Sequence, residues 1–376
     1  MLAPISWPLP PTGYGPWEMV ASNLTEELVA LGHEVTLFAA GGTQSSATVV
    51  TTCPHALQTW PEPLRSRPRA FDPETGLMEG PPDPRALEEL HIATCMERAA
   101  QGRFDVVHSH LHVHALVFGR LISCPLVTTL HGSAWTKSNH PILRAYRELP
   151  FVSLSNAERQ LLGELNYVAT VYNGIRIETF DFEPDKEDYL LFAGRFAPEK
   201  GPDVAIEVAR RAGRRLLLAG LIEPQYQEFF DSQIRPHLDG SQCEYLGLLS
   251  QQELAPYYRK AAALLFLINW CEPFGLTAVE AQASGTPVIA TRFGALPEII
   301  VDGETGFIVD TTDEAVAATK KLDTLSPAAC RENAESRFSA RVMARGYEAV
   351  YASLIATHGI LRHPDRHTPR TRAVRP

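Results

Sequence analysis

The sequence predicts an α/β protein built from two Rossmann-like domains that face one another. Three observations lead there. The 376 residues exceed what one ordinary core supports, which points to two domains. Short β-branched or apolar runs alternate with helical patterns through the first half, as parallel βαβ units require. The second half repeats the scheme with runs that are largely apolar throughout, as suits strands covered on both faces.

Met1–Ile5 are all that precede the loop prolines, whereas strands usually run roughly 5–6 residues. The opening strand is therefore expected to be short, or the natural start to lie a few residues upstream. Glu34–Ala40, Phe104–His108, Pro125–Leu130, Phe151–Leu154 and Val168–Tyr172 read as the next strands. A Pro-rich stretch, Pro61–Pro84, precedes a helical segment from about Arg85 to Ala100. In the second half, Tyr189–Ala193, Arg215–Ala219, Ala263–Ile268 and Val288–Thr291 read as strands, with helices over Asp203–Ala212 and Gln251–Ala262 between them. The acidic, aperiodic stretch Asn173–Asp188 is the expected junction, giving domains 1–175 and 176–338. Beyond Ser326 the pattern is helical almost to His358, and the Arg- and Pro-bearing tail 361–376 is expected to be disordered.

Lys plus Arg number 34 and Asp plus Glu 44, so the net charge of −10 argues against a nucleic-acid partner. Six scattered cysteines show neither metal-knuckle nor disulfide spacing, and a reducing cytoplasmic setting fits them. No run approaches the ~20 apolar residues of a membrane span, so membrane contact would be peripheral at most.

The most informative segment is Glu272-Pro-Phe-Gly-Leu-Thr-Ala-Val-Glu280, which follows a buried strand. Glu272 thus stands where strands of an open α/β sheet end and ligands bind. Amides at the helix start, around Phe274, Gly275 and Leu276, would face an anion such as a diphosphate. Thr277 lies in the same turn, and Glu280, just over one turn in, is placed to accept from ribose hydroxyls. The bland alternative is a strand-turn-helix with two solvated glutamates. Gly194-Arg195-Phe-Ala-Pro-Glu-Lys200-Gly201 also follows a strand, and Arg195 and Lys200 bring two positive charges to a phosphate. Read alone, a charged loop with glycines is more often just surface.

Gly13 and Gly15 sit between the first strand and a helix running to about Leu31, where a loop can lie against a ligand. The pattern is not GxGxxG and no acidic residue ends the second strand, which disfavours a nicotinamide cofactor. His108, His110, His112 and His114 alternate, but no carboxylate or cysteine cluster joins them, so a metal site is not expected. His131 is different: it ends a strand before Gly132 and is predicted to point into the cleft. Neither a G-x-S-x-G elbow nor a P-loop is present.

Together these segments resemble glycosyltransferase family 4, retaining enzymes of the GT-B fold. Glu272 to Glu280 is similar to the family's Glu-x7-Glu motif, and Gly194-Arg195 with Glu199-Lys200-Gly201 to its donor-phosphate loop. Thr129-Leu-His131-Gly132, Asn173-Gly174-Ile175 and Gly294-Ala-Leu-Pro-Glu298 with Gly303-Glu-Thr-Gly306 also match, so the resemblance spans nearly the whole chain. It implies GT-B architecture with a deep inter-domain cleft. It implies that Glu272 holds donor-sugar hydroxyls, Glu280 the ribose, and Arg195 and Lys200 the leaving diphosphate. His131 would contact the sugar near the reacting centre, with Gly13, Gly15 and Gly194 approaching the donor. The implied reaction moves a hexose from a UDP-sugar such as UDP-glucose, or next GDP-mannose, to an acceptor hydroxyl. It needs neither metal nor cofactor and retains stereochemistry. The resemblance also implies that the final helix, over 339–357, crosses back onto the N-terminal domain. Gly15-Pro16 departs from the family, where a second glycine is common.

Two other classes stay open at this point: a GT-B phosphorylase or epimerase, and a non-catalytic nucleotide-sugar-binding protein. The acceptor, whether sugar, lipid-linked or small molecule, is unspecified. Arg65, Arg67 and Arg69 beside aromatics suggest a phosphorylated or lipid-linked one, against the blander reading of a solvated loop.

Overall fold

In a computed structural model of the chain, residues 1–60, 70–79 and 83–362 are described. Arg65, Arg67, Arg69 and the tail from residue 363 onward lie outside them.

The C-terminal domain is a parallel sheet in the order Cys243–Tyr245, Arg215–Ala219, Tyr189–Ala193, Ala263–Phe266, Val288–Thr291, Gly306–Val309. The chain thus starts in the middle, winds to one edge and returns to wind to the other. The central strands are buried along their whole length, because helices cover both faces. One face packs on helices Leu276–Ala283 and Pro327–Phe338 around Leu191, Leu264, Val279 and Phe338. The other packs on helices Pro202–Ala212 and Thr312–Thr319 around Leu190, Leu218, Ile206 and Val316.

The N-terminal domain repeats the plan. Thr48–Cys53 pairs with Thr36–Ala40, and Val107–Ser109, Leu126–Thr129, Phe151–Ser153 and Tyr167–Thr170 follow in parallel. The two groups are joined through Met1–Ala3. Leu2 bridges Phe38 on one side and Ser109 on the other, and its amide and carbonyl bond His108 O and His110 N. Proline starts several helices, at Pro16, Pro84, Pro202 and Pro327, where its missing N–H is no loss.

Five strands were not read from the sequence: Thr48–Cys53, Ala70–Asp72, Leu77–Glu79, Cys243–Tyr245 and Gly306–Val309. The helix expected over Gln251–Ala262 ends at Lys260, because Ala261 turns to extended backbone. The last helix, Ala340–Arg362, runs into the start of the stretch read as tail. It packs Met343, Tyr347, Val350 and Tyr351 against Val20, Leu24, Val127 and Val152 of the N-terminal domain.

The chain crosses between domains twice, and the crossings lie side by side. Ile175 N donates to Phe338 O at 2.9 Å and Ala340 N to Ile175 O at 2.8 Å. A Cβ on Gly174 would stand 2.6 Å from Ser339 O, so only glycine allows this approach.

Candidate active site

Between the domains lies a cleft of about 620 Å³. Its C-terminal wall is built at the switch point of the sheet, where neighbouring strands Tyr189–Ala193 and Ala263–Phe266 lead off to opposite edges. Gly194, Arg195 and Lys200 follow the first of these strands, and Glu272 follows the second; all four line the cleft. Phe274, Gly275, Leu276, Thr277 and Glu280 line it from the turn and helix beyond. Gly13, Gly15 and His131 line it from the N-terminal domain. The fold thus gathers the residues expected at the donor site around one space.

Lys200 Nζ donates to Glu272 Oε2 at 2.5 Å, and the two side chains are only 15% and 13% exposed. The same ammonium lies 4.6 Å from the Trp270 ring centre, a cation–π contact. Arg195 is drawn the other way: Nη1 donates to Glu223 Oε2 at 2.6 Å. The Leu276–Ala283 helix begins at Gly275, in the left-handed region at φ 108°, and no side chain caps it. Its first amides are therefore available to an anion.

Glu280 is already engaged, accepting from Gln251 Nε2 at 2.7 Å and Tyr258 OH at 3.1 Å. Burial raises its pKa, and these two donors oppose the rise.

Glu272 is fixed from behind. Ala295 N donates to its carbonyl at 2.9 Å. Gly294, at φ 60°, packs so close that a Cβ would stand 2.2 Å from that oxygen. Gly294→Ala is expected to destabilise the fold by about 2 kcal/mol or more, since the strained backbone and the overlap add. A urea midpoint equal to wild type would show that Glu272 is free to move.

The histidines form a buried network. His108 bonds Tyr351 OH through Nδ1 and Thr129 Oγ1 through Nε2, both at 2.7 Å. His110 Nδ1 and His131 Nε2 share a hydrogen bond of 2.8 Å. Burial holds all three imidazoles well below their usual pKa, so each is neutral at pH 7. His131 sits at φ 45°, a strained conformation for a non-glycine residue. Its Nδ1 is buried with no partner among the described residues. Trp17, 42% exposed, lies at 4.4 Å from His112 and 6.2 Å from His131, ring centre to ring centre. Among the described residues, no group of three His, Cys, Asp or Glu side chains is arranged to hold a metal.

Gly13 and Gly15 reach the cleft, but their missing side chains also serve local packing. A Cβ would stand 2.9 Å from the Trp7 ring at Gly13 and 2.8 Å from Pro11 at Gly15. Sequence reasoning missed Glu223, Gln251, Tyr258 and Trp270, each of which pairs with a motif residue more than 20 positions away. None carries a local signal. Glu158 was missed too: it is buried and accepts from Gly132 N at 2.8 Å and Leu154 N at 2.9 Å.

Comparison with known proteins agrees with this geometry. The family described as Glycosyl transferases group 1 matches residues 176–337, and the one described as Glycosyltransferase Family 4 matches residues 18–179. An uncharacterized glycosyltransferase of Methanocaldococcus jannaschii is 30% identical over 271 residues, covering 66% of this chain and 76% of its own. A D-inositol 3-phosphate glycosyltransferase of Arthrobacter sp. (strain FB24) is 29% identical over 299 residues, covering 65% and 71%. Among solved structures, Anabaena HepE in complex with UDP-glucose superposes with a TM-score of 0.66 at 18% identity, covering 89% of this chain and 96% of that one. With its two parallel-sheet domains and the cleft residues that its motifs bring together, this chain belongs to glycosyltransferase family 4 and is a transferase of the GT-B fold.

Proposed function

We propose that the chain is a retaining hexosyltransferase that uses a UDP-sugar and needs no metal. The observation that carries the reading is the convergence on one wall of Arg195, Lys200 and the uncapped start of the Leu276–Ala283 helix. Two cations and free amides form a site for a diphosphate leaving group without a bridging ion. Glu280 then takes the ribose, exchanging or sharing its Gln251 donor. Leu248 and Leu249, which line the cleft, offer an apolar ledge to the base. UDP is favoured over GDP because a structural relative was solved with UDP-glucose.

The hexose lies between Glu272 and His131, both of which line the cleft. The acceptor hydroxyl approaches from the N-terminal side, and the donor phosphate takes its proton on the face the leaving group departs. Stereochemistry is thereby retained. D-inositol 3-phosphate is the first acceptor to assay, being named for a relative. With no disulfide among the described residues, a reducing cytoplasm is the proposed setting.

Thermal unfolding with UDP, GDP, ADP and their glucose or mannose conjugates, with and without EDTA, tests this. UDP at a hundredfold excess over its dissociation constant is expected to add about 2.7 kcal/mol of stability, unchanged by EDTA. The shift is expected to vanish in Glu280→Ala and Arg195→Ala. Folded protein that responds to no nucleotide would overturn the donor site, and an EDTA-sensitive shift would overturn metal independence.

A further inference from the structure

The motif Gly294-Ala-Leu-Pro-Glu298 holds a residue that the donor site does not use. Glu298 reaches from the C-terminal domain to the N-terminal one. Its Oε1 accepts from Ala157 N at 2.8 Å. Its Oε2 accepts from Asn156 N at 2.9 Å, Asn156 Nδ2 at 3.0 Å and Tyr172 OH at 3.0 Å. Four donors on one carboxylate make a directional contact, stronger than neutral hydrogen bonds of the same count. Arg337 Nη2 donates to the Glu298 carbonyl at 2.6 Å and steadies the backbone beneath it.

Each end of this contact leads to a residue of the cleft. On the C-terminal side, Leu296–Ile299 is entered through Ala295, whose amide holds the Glu272 carbonyl. On the N-terminal side, Asn156 and Ala157 open the turn that carries Glu158, and Glu158 holds the Gly132 amide beside His131. The two ends nearly meet directly: a Cβ on Gly132 would stand 2.7 Å from Pro273 Cγ. A continuous path of hydrogen bonds and short backbone links therefore joins Glu272 to His131 across the domain boundary.

We infer that Glu298 is a positioning residue, an inter-domain clasp that sets His131 against Glu272 so that both reach one donor sugar. The inference rests on the transferase reading of the cleft. Domains of one chain move relative to each other unless their contact is strong, and a 1 Å misplacement of reacting groups is enough to slow a reaction about a hundredfold. Arg195, Lys200 and Glu280 all belong to the C-terminal domain, so binding of the nucleotide itself does not need the clasp.

The experiment compares wild type with Glu298→Ala, Glu298→Gln and Tyr172→Phe, each checked for folding by circular dichroism. UDP affinity is expected to stay within about twofold of wild type in all three, while kcat falls at least tenfold in Glu298→Ala and less in Tyr172→Phe. In a His131→Ala background, Glu298→Ala is expected to cost less than twofold, because the two act as one unit. Small-angle scattering with UDP bound is expected to show a larger radius of gyration for Glu298→Ala.

An unchanged kcat, an equal loss in the His131→Ala background, or a UDP affinity that falls in step with kcat would each overturn the clasp. If wild type transfers from no nucleotide sugar, the transferase reading fails instead. Scattering then decides the clasp alone, and equal radii reject it.

Discussion

Lys200→Met is expected to lose about a thousandfold in kcat/KM while the protein stays folded, a loss of roughly 4 kcal/mol in transition-state stabilisation. Two effects act together. The proposed diphosphate loses a cation at the point where negative charge develops on the leaving group. Glu272 also loses its partner: its carboxylate, 13% exposed, accepts from Lys200 at 2.5 Å. A buried carboxylate left in that position without its partner turns away toward solvent, which removes the acceptor proposed for the sugar hydroxyls. Lys200→Arg is expected to recover little. The Lys200 ammonium fits as a point charge between Glu272 and the Trp270 ring, 4.6 Å away, where a planar guanidinium has different demands. Steady-state kinetics with UDP-sugar, beside thermal unfolding of each variant, check this. A loss below tenfold in Lys200→Met would remove Lys200 from the reacting centre.

The parts of the fold that were legible are those whose environment is uniform. Tyr189–Ala193, Arg215–Ala219 and Val288–Thr291 were read with the bounds they have, because strands covered on both faces are apolar at nearly every position. Three of the strands that escaped, Thr48–Cys53, Cys243–Tyr245 and Gly306–Val309, are at sheet edges. Each is only partly covered, and Thr48–Cys53 and Cys243–Tyr245 mix polar and apolar residues without a clean period.

The site divides along a similar line. The place of Glu272, Arg195 and His131 at the cleft was legible because each lies in the loop beyond the carboxyl end of a strand, where an open α/β sheet offers its crevice. Their partners were not. Glu223 meets Arg195, Gln251 meets Glu280, and Glu158 meets Gly132 across 26 to 29 residues of chain. Such pairings are made by the sheet order, and nothing local in the sequence encodes them. Glu298 shows the same limit: its motif was visible, but its contact with Asn156 lies 142 residues away.

Acidification from pH 7 to pH 5 is expected to lower the stability of the chain steeply. Burial holds His108, His110 and His131 well below the usual histidine range and His91 at about 4. Neighbouring charges add to the depression, His110 for His131 and His108 for His110. The unfolded chain protonates these four groups near pH 6.5, and the folded chain does not. Below 6.5 the unfolded state therefore binds more protons, and stability falls as pH falls. Glu158 works in the opposite direction. Burial raises its carboxyl to about 7, against the pull of the Leu154 and Gly132 amides. Between 4.5 and 7 the folded state holds a proton there that the unfolded state lacks, which favours folding as pH falls. Burial raises the Glu18 and Glu280 carboxyls in the same way and lowers His112 like the other histidines, so five imidazoles stand against three carboxyls and the net effect is a loss of stability as pH falls. Urea midpoints at pH 8, 7, 6 and 5 measure it, and His110→Asn is expected to flatten the curve by about one proton. A midpoint constant from pH 7 to pH 5 would mean that these histidines charge within the fold. Kept neutral, His131 would meet the proposed donor sugar as a hydrogen-bonding group and not as a charge. Loss of activity on acidification would then track unfolding, and a catalytic group that titrates while the protein stays folded would not be needed to explain it.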